Sequence, residues 1–275
     1  STALEAVDAG ADVVVVERGS AGGGTSANSG GVIYLGGGTP VQKDCGFEDS
    51  PEEMFKYLMA ACGSHRDQAK IRAYADDSVA QYHWLVGHGV PFKAVFYPDY
   101  SGEPPTDDGL VYSGNENCYP FNEIAKPAPR GHVPQIPGKA GGLLMEKLIA
   151  AVEKTPTKLM YDTRCEALVA DDDGQVVGAV VKTYGEERSV RARRGVVVTA
   201  GGFIMNRDMV RTHAPDLKRC MFLVGGDGDD GSGIRLGMAA GGVAINMSLG
   251  AISLPIIPPK KLETGILLNA QGQRF

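Results

Sequence analysis

Residues 13–31 read V-V-V-V-E-R-G-S-A-G-G-G-T-S-A-N-S-G-G, and no other stretch constrains the fold as tightly. Four valines ending at Glu17 describe a strand covered on both faces, and such strands belong to the parallel sheets of α/β proteins. Ahead of them Ala3-Leu4-Glu5-Ala6-Val7-Asp8-Ala9-Gly10 reads as a short helix that Gly10 ends. Helix, buried strand and acid in that order fit a dinucleotide-binding unit, in which a carboxylate at the strand end accepts hydrogen bonds from the ribose hydroxyls. The first phosphate-loop glycine of such a unit lies about 20 residues before the acid, which places it ahead of Ser1. The chain is therefore expected to be a fragment that starts inside the first helix, without the G-x-G-x-x-G turn. An apolar run followed by Glu also fits a buried strand ending in a solvated acid, and these residues alone leave both readings open.

The glycines, 38 in all, cluster at 22–24, 30–31, 36–38, 141–142, 201–202, 225–226 and 241–242. Scattered clusters predict several close backbone approaches to one extended ligand, whereas a linker would concentrate them. From Gly22 to Gly38 apolar periodicity is too weak for a helix, which predicts a loop with a short strand over Val32–Leu35. Thr25, Ser26 and Ser29 offer hydroxyls there, and the glycines leave N–H groups unshielded, which suits phosphate oxygens or a heterocycle edge. A flexible surface loop is the other reading.

Ser50-Pro51-Glu52-Glu53 opens a helix, with Met54, Leu58, Met59 and Cys62 on its apolar face. A further helix is expected over 67–88, with Ile71, Tyr74, Val79, Tyr82, Leu85 and Val86 recurring at helical spacing. His83 and Trp84 read as packing residues. Residues 89–137 are proline-rich and carry Phe92, Phe96, Tyr97, Tyr100, Tyr112, Tyr119 and Phe121, which fit either the wall of an apolar ligand pocket or an excursion packed on itself. His132 is a candidate polar contact at the floor of that pocket.

Residues 141–152 are apolar on most faces and predict a buried helix. Alternating segments over 165–170, 175–182 and 189–193, with turns at Asp171–Gly174 and Tyr184–Glu186, predict a three-stranded antiparallel meander. Gly195–Gly202 reads as another buried strand running into glycines. A short helix is expected over 208–213, then an acidic glycine loop over 225–233 leading into a helix over 234–240. That loop lacks the ligand register and closing Glu of a calcium loop, so no metal is assigned. Residues 265–275 read as a strand and turn.

The net charge of −6 is spread along the chain apart from Asp171-Asp172-Asp173, which argues against nucleic acid as a partner. Five cysteines without a C-x-x-C argue against zinc or dithiol chemistry and fit reduced thiols in the cytoplasm. No apolar run reaches the length of about 18 residues that spans a bilayer.

The combination of V-V-V-V-E-R, G-G-T-S-A-N-S-G-G, the meander, V-V-V-T-A-G-G-F, G-D-G-D-D-G-S-G-I-R-L-G-M-A-A-G-G and G-I-L-L-N-A-Q-G-Q-R-F resembles the fumarate reductase/3-ketosteroid dehydrogenase family of FAD flavoproteins. The resemblance implies an α/β fold: a Rossmann-like FAD-binding domain over 1–245 with a parallel sheet plus the antiparallel meander, and the beginning of an α+β cap domain over 246–275. It implies FAD as the cofactor. Glu17 would hold the adenosine ribose, with Arg18 beside it among the cofactor residues. Gly24, Thr25, Ser26, Ser29, Gly30 and Gly31 would run along the pyrophosphate, ribityl chain and flavin. Cys165 would offer backbone to adenine, and Thr199-Ala200-Gly201 would close over the cofactor.

Within that family F-E-D-S-P-E-E-M-F, H-G-V-P-F-K, D-D-G-L-V-Y-S-G-N-E and P-F-N-E-I-A-K-P-A-P-R-G-H-V-P-Q resemble the 3-ketosteroid Δ4-(5α)-dehydrogenase branch. The implied activity is dehydrogenation of a 3-oxosteroid A-ring by hydride transfer to flavin N5, with an unidentified electron acceptor. The fumarate-reducing branch carries a His in an H-P-T motif before its G-x-I-L-V-N strand, and 248–263 contains no histidine. The catalytic tyrosines and serine of the steroid branch would fall beyond Phe275, so no catalytic residue is named and the piece alone is expected to be inactive. Reduction of an unsaturated carboxylate and a non-catalytic flavin-binding module are the alternatives.

Overall fold

The computed structural model describes residues 1–99, 104–220, 222–251, 266 and 268–274. Tyr100, Gly265, Leu267 and Phe275, to which the sequence assigns a pocket wall or a strand, lie outside the described residues.

In chain order, α1 (Thr2–Asp8) leads to β1 (Val14–Val16), the single-turn α2 (Gly24–Ala27) and β2 (Ile33–Tyr34). Helices α3 (Pro40–Asp44), α4 (Pro51–Ala61), α5 (Gln68–Asp76) and α6 (Ser78–Gly87) follow. The proline-rich segment supplies β3 (Phe96–Tyr97), β4 (Leu110–Val111), α7 (Phe121–Ile124) and β5 (Gly131–His132). Then come α8 (Gly141–Glu153), β6 (Lys158–Met160), the meander β7 (Thr163–Ala170), β8 (Val176–Thr183) and β9 (Glu186–Arg191), and finally α9 (Arg207–His213) and α10 (Ser232–Ala239). The α/β class, the parallel pairing and the meander are as the sequence indicates. Among the described residues no helix is long and apolar enough to cross a membrane.

Local chemistry sets several of these boundaries. The Ser50 hydroxyl accepts from the Glu53 N–H at 3.2 Å, and Pro51 occupies the first turn of α4. Thr39 and Gln42 form a capping box that starts α3. The helix expected over 67–88 is two helices: α5 closes at Asp77, and Ser78 is buried with its hydroxyl accepting from the Gly36 N–H at 2.7 Å. That long-range bond anchors Ser78 at the break between the two helices. On α4 the buried residues are Met54 and Tyr57, whereas Cys62 is exposed just past its end.

β1 pairs in parallel with β6, Val15 opposite Leu159. The ladder covers one edge of β1, and Val14 keeps 43% of its surface exposed, so the expectation of a strand buried on both faces is not met. Residues 195–202 depart further: they form no strand, and Val197 and Val198 are 65% and 41% exposed. An apolar run becomes a strand only where a neighbour accepts its ladder, and among the described residues none lies beside this one. α8 is half-buried rather than buried: Leu144 and Leu148 pack on the main core of Leu35, Val41, Tyr82, Leu85, Val90 and Leu110.

The proline-rich segment is built into a four-stranded sheet in the order β2-β5-β4-β3. Its aromatics pack on the protein itself. Phe96 meets Phe47 and Tyr112 with ring centroids 4.8 and 5.8 Å apart, Phe92 meets Tyr82 at 5.4 Å, and Phe121 meets Tyr57 at 5.6 Å. Tyr119 is instead 77% exposed. Trp84 packs against the core and donates its indole N–H to Glu5, while His83 is exposed with its ring against Tyr82.

Candidate functional site

At the end of β1 the backbone of Glu17 is held from both sides, its N–H on Met160 O and its carbonyl accepting from Thr163 N, each at 2.9 Å. One carboxylate oxygen accepts from the Gly19 N–H at 2.7 Å. The other has no partner among the described residues, which leaves a fixed acceptor beside the glycine loop. Arg18 turns to the protein: its Nη1 donates to Asp230 Oδ2 at 2.9 Å, with Arg164 Nη2 at 3.6 Å from the same oxygen. Burial opposes it, but hydrogen bonds from Ser232 and from Arg18 hold the Asp230 carboxyl below the usual range.

The loop over 22–31 is not wholly irregular, since α2 forms one turn at Gly24–Ala27. The first-turn N–H groups of Gly24, Thr25 and Ser26 have no acceptor within that helix, and Gly24, Ser26 and Ser29 are exposed. The back of the loop is tied down. Ser29 Oγ donates to Ser26 O at 2.7 Å and accepts from the Gly31 N–H at 3.2 Å, while the Ala140 and Gly141 N–H groups donate to Gly30 O and Ser29 O. A Cβ on Gly141 would collide with the Ser26 carbonyl, so α8 begins with glycine where it meets this loop.

Gly36–Gly38 lie against protein and not against a ligand channel. A Cβ at Gly36 would come 2.7 Å from Asp49 Oδ2, and Gly37 N–H donates to that same oxygen at 3.0 Å. Asp49 pairs with Arg130, both fully buried. His132 belongs to this packed interior and does not line a pocket: it is 0% exposed, with Nε2 2.8 Å from Thr39 Oγ1 and Nδ1 3.1 Å from Arg130 O. Burial pulls its pKa down to about 4, which keeps the ring neutral.

Thr199, Ala200 and Gly201 are exposed, and the Gly202 N–H donates to Asp229 Oδ1 at 3.2 Å. Asp229 Oδ2 accepts from Thr25 Oγ1 at 2.6 Å, which joins this turn to the 22–31 loop. Cys165 sits on β7 with its thiol pushed up by burial, and lines a cleft of about 340 Å³ together with Arg164, Leu168, Ser232, Arg235 and Leu236. The structure thus gathers Thr25 with Gly201 through Asp229, and Arg18 with the start of β7 through Asp230. Asp229 and Asp230 were not legible as site residues. The acidic loop over 225–233 stood out in the sequence, as one motif of the flavoprotein resemblance and in the comparison with calcium loops, but neither Asp229 nor Asp230 was given a role.

These groups suit an extended anionic dinucleotide: an open carboxylate for a diol, exposed N–H groups in a turn with Gly23 and Gly24 at φ +119° and +49°, and an adjoining cleft. A profile of the FAD binding domain family matches residues 1–275. The chain belongs to that family. The cofactor is accordingly FAD. The 3-oxo-5-alpha-steroid 4-dehydrogenase of Comamonas testosteroni is 28% identical over 319 aligned residues, which cover 100% of this chain and 60% of that protein. The crystal structure of 3-ketosteroid-delta4-(5alpha)-dehydrogenase from Rhodococcus jostii RHA1 in complex with 4-androstene-3,17-dione superposes with a TM-score of 0.94 at 48% identity, over 99% of this chain and 57% of that one. A cytochrome-linked fumarate reductase of Shewanella frigidimarina is 25% identical over 100% of this chain and 45% of its own length. The chain therefore spans about three fifths or less of these relatives.

Proposed function

We propose that the protein is an FAD-dependent oxidoreductase that dehydrogenates the A-ring of a 3-oxosteroid. The observation that carries this is the 48% identity, at a TM-score of 0.94, with a 3-ketosteroid Δ4-(5α)-dehydrogenase that holds a 3-oxosteroid. The substrate loses two hydrogens from neighbouring ring carbons, and an electron acceptor restores the enzyme. When bound, FAD supplies the two-electron acceptor for that step.

In this reading the chain's own residues bind and orient. Glu17 accepts from the adenosine ribose with its open oxygen, and the start of β7 at Cys165 offers backbone to adenine. Gly24, Ser26 and Gly30 present backbone N–H groups along the pyrophosphate, ribityl chain and flavin, and the buried Gly31, whose N–H is held by Ser29 Oγ, backs the same loop against α8. Arg18, Thr25 and Ser29, whose side chains are engaged within the protein, shape the same wall, and Thr199-Ala200-Gly201 closes over it. The division into a cofactor domain over 1–245 and the beginning of a cap domain over 246–275 belongs to the same reading.

Anaerobic mixing of the FAD-loaded, full-length protein with a 3-oxo-5α-steroid tests the proposal. Loss of the oxidised-flavin absorbance supports it. Retention of that absorbance, with reoxidation of the reduced protein by an unsaturated carboxylate, supports the fumarate-reducing alternative instead.

A further inference from the structure

The Asp229 carboxylate is used at both ends. Oδ2 accepts from Thr25 Oγ1 at 2.6 Å and from the Gly226 N–H at 3.2 Å, while Oδ1 accepts from the Gly202 N–H at 3.2 Å. Thr25 Oγ1 in turn accepts from the Gly226 N–H at 2.8 Å. The main chain of the acidic loop adds Met205 N–H to Asp229 O at 3.0 Å. One side chain therefore ties together segments 204 and 27 residues away.

Two of the glycine clusters are explained by this carboxylate. A Cβ on Gly201 would collide with Asp229 Oδ1, and one on Gly225 would lie 2.8 Å from Oδ2. These turns are stripped of side chains to admit the acid.

A hydroxyl has a single proton to donate, and that of Thr25 goes to Asp229. Phosphate oxygens are acceptors, so this hydroxyl has nothing left to give them. We propose that Asp229 is a positioning residue for the cofactor, and that Thr25 acts through Asp229 by fixing the 22–31 loop against the Gly201–Gly202 turn. This rests on the reading of those two segments as opposite walls of the FAD site.

The test is a double-mutant cycle on FAD affinity, read by flavin fluorescence quenching, with the visible circular dichroism of the bound flavin as a second signal. Thr25→Val removes the donor. Asp229→Asn leaves one acceptor oxygen where two are needed. Each is expected to weaken FAD about tenfold, or about 1.4 kcal/mol, and to change the flavin dichroism in the same sense. The double variant should be no weaker than either single one, and Thr25→Ser, which keeps the hydroxyl, should bind as the wild type does.

Additive losses in the double variant, or an unchanged affinity in Asp229→Asn, overturn the latch while leaving FAD binding intact. Wild-type protein that binds no FAD overturns the cofactor reading and the latch with it. If Asp229→Asn does not fold, the contrast of Thr25→Val with Thr25→Ser decides: equal affinities overturn the proposal.

Discussion

Arg130 and Asp49 form a two-point ion pair, Nε to Oδ2 at 2.9 Å and Nη2 to Oδ1 at 2.7 Å, with neither side chain exposed. Asp49 also accepts from Gly37 N–H and Gln42 Nε2, so the pair anchors the Gly36–Gly38 turn that follows the candidate cofactor loop. Deleting one member of a buried pair strands the other charge away from water, at a cost of about 3–5 kcal/mol. Asp49→Ala is expected to lower the unfolding free energy by that amount in urea denaturation. A loss below about 1 kcal/mol would show that the pair is not buried as described.

His132 makes stability depend on pH. Its folded pKa, lowered by burial to about 4, lies below the ordinary histidine value of about 6.5. Between those values the unfolded chain binds a proton that the folded one does not, so stability rises with pH across the window. The contribution is complete above about 6.5 and is lost as pH falls toward about 4. Unfolding free energies at pH 7 and pH 5 should therefore differ more in the wild type than in His132→Gln. Equal differences would remove His132 as the cause.

Glu17 presents one carboxylate oxygen to the site while the other holds Gly19 N–H. Replacing it with Ala removes a charged acceptor and is expected to weaken FAD binding by about 1–3 kcal/mol. Equilibrium titration of FAD into the variant checks this, and unchanged affinity would detach Glu17 from the cofactor.

Gly141 meets the Ser26–Ser29 backbone so closely that a methyl group has no room. Gly141→Ala is expected to push α8 away from the loop, with an overpacking cost of about 1–3 kcal/mol and weaker FAD binding. Thermal unfolding and FAD titration of the same variant check both effects. Wild-type values for both would mean that the loop and helix start tolerate separation.

Features governed by near neighbours were legible in the sequence. The cap at Ser50, the turns expected at Asp171–Gly174 and Tyr184–Glu186, and the acid ending β1 all follow from short-range chemistry. Features governed by distant partners were not. Nothing near Ser78 announces that Gly36 N–H will claim its hydroxyl, and nothing near Asp229 announces Thr25. The valines over 196–198 have the composition of β1, yet a strand also needs a neighbour to bond. Phe92, Phe96 and Tyr112 fitted a ligand pocket and a self-packed segment equally well until their ring partners were known.

Dehydrogenation of a 3-oxosteroid is the activity proposed for this FAD-binding chain. The most direct measurement is the absorbance of oxidised flavin in the full-length protein, followed anaerobically as a 3-oxo-5α-steroid is added. Bleaching that saturates with steroid and is reversed by an added electron acceptor is expected. A flavin that stays oxidised at every steroid concentration, in protein shown to hold FAD, would contradict it.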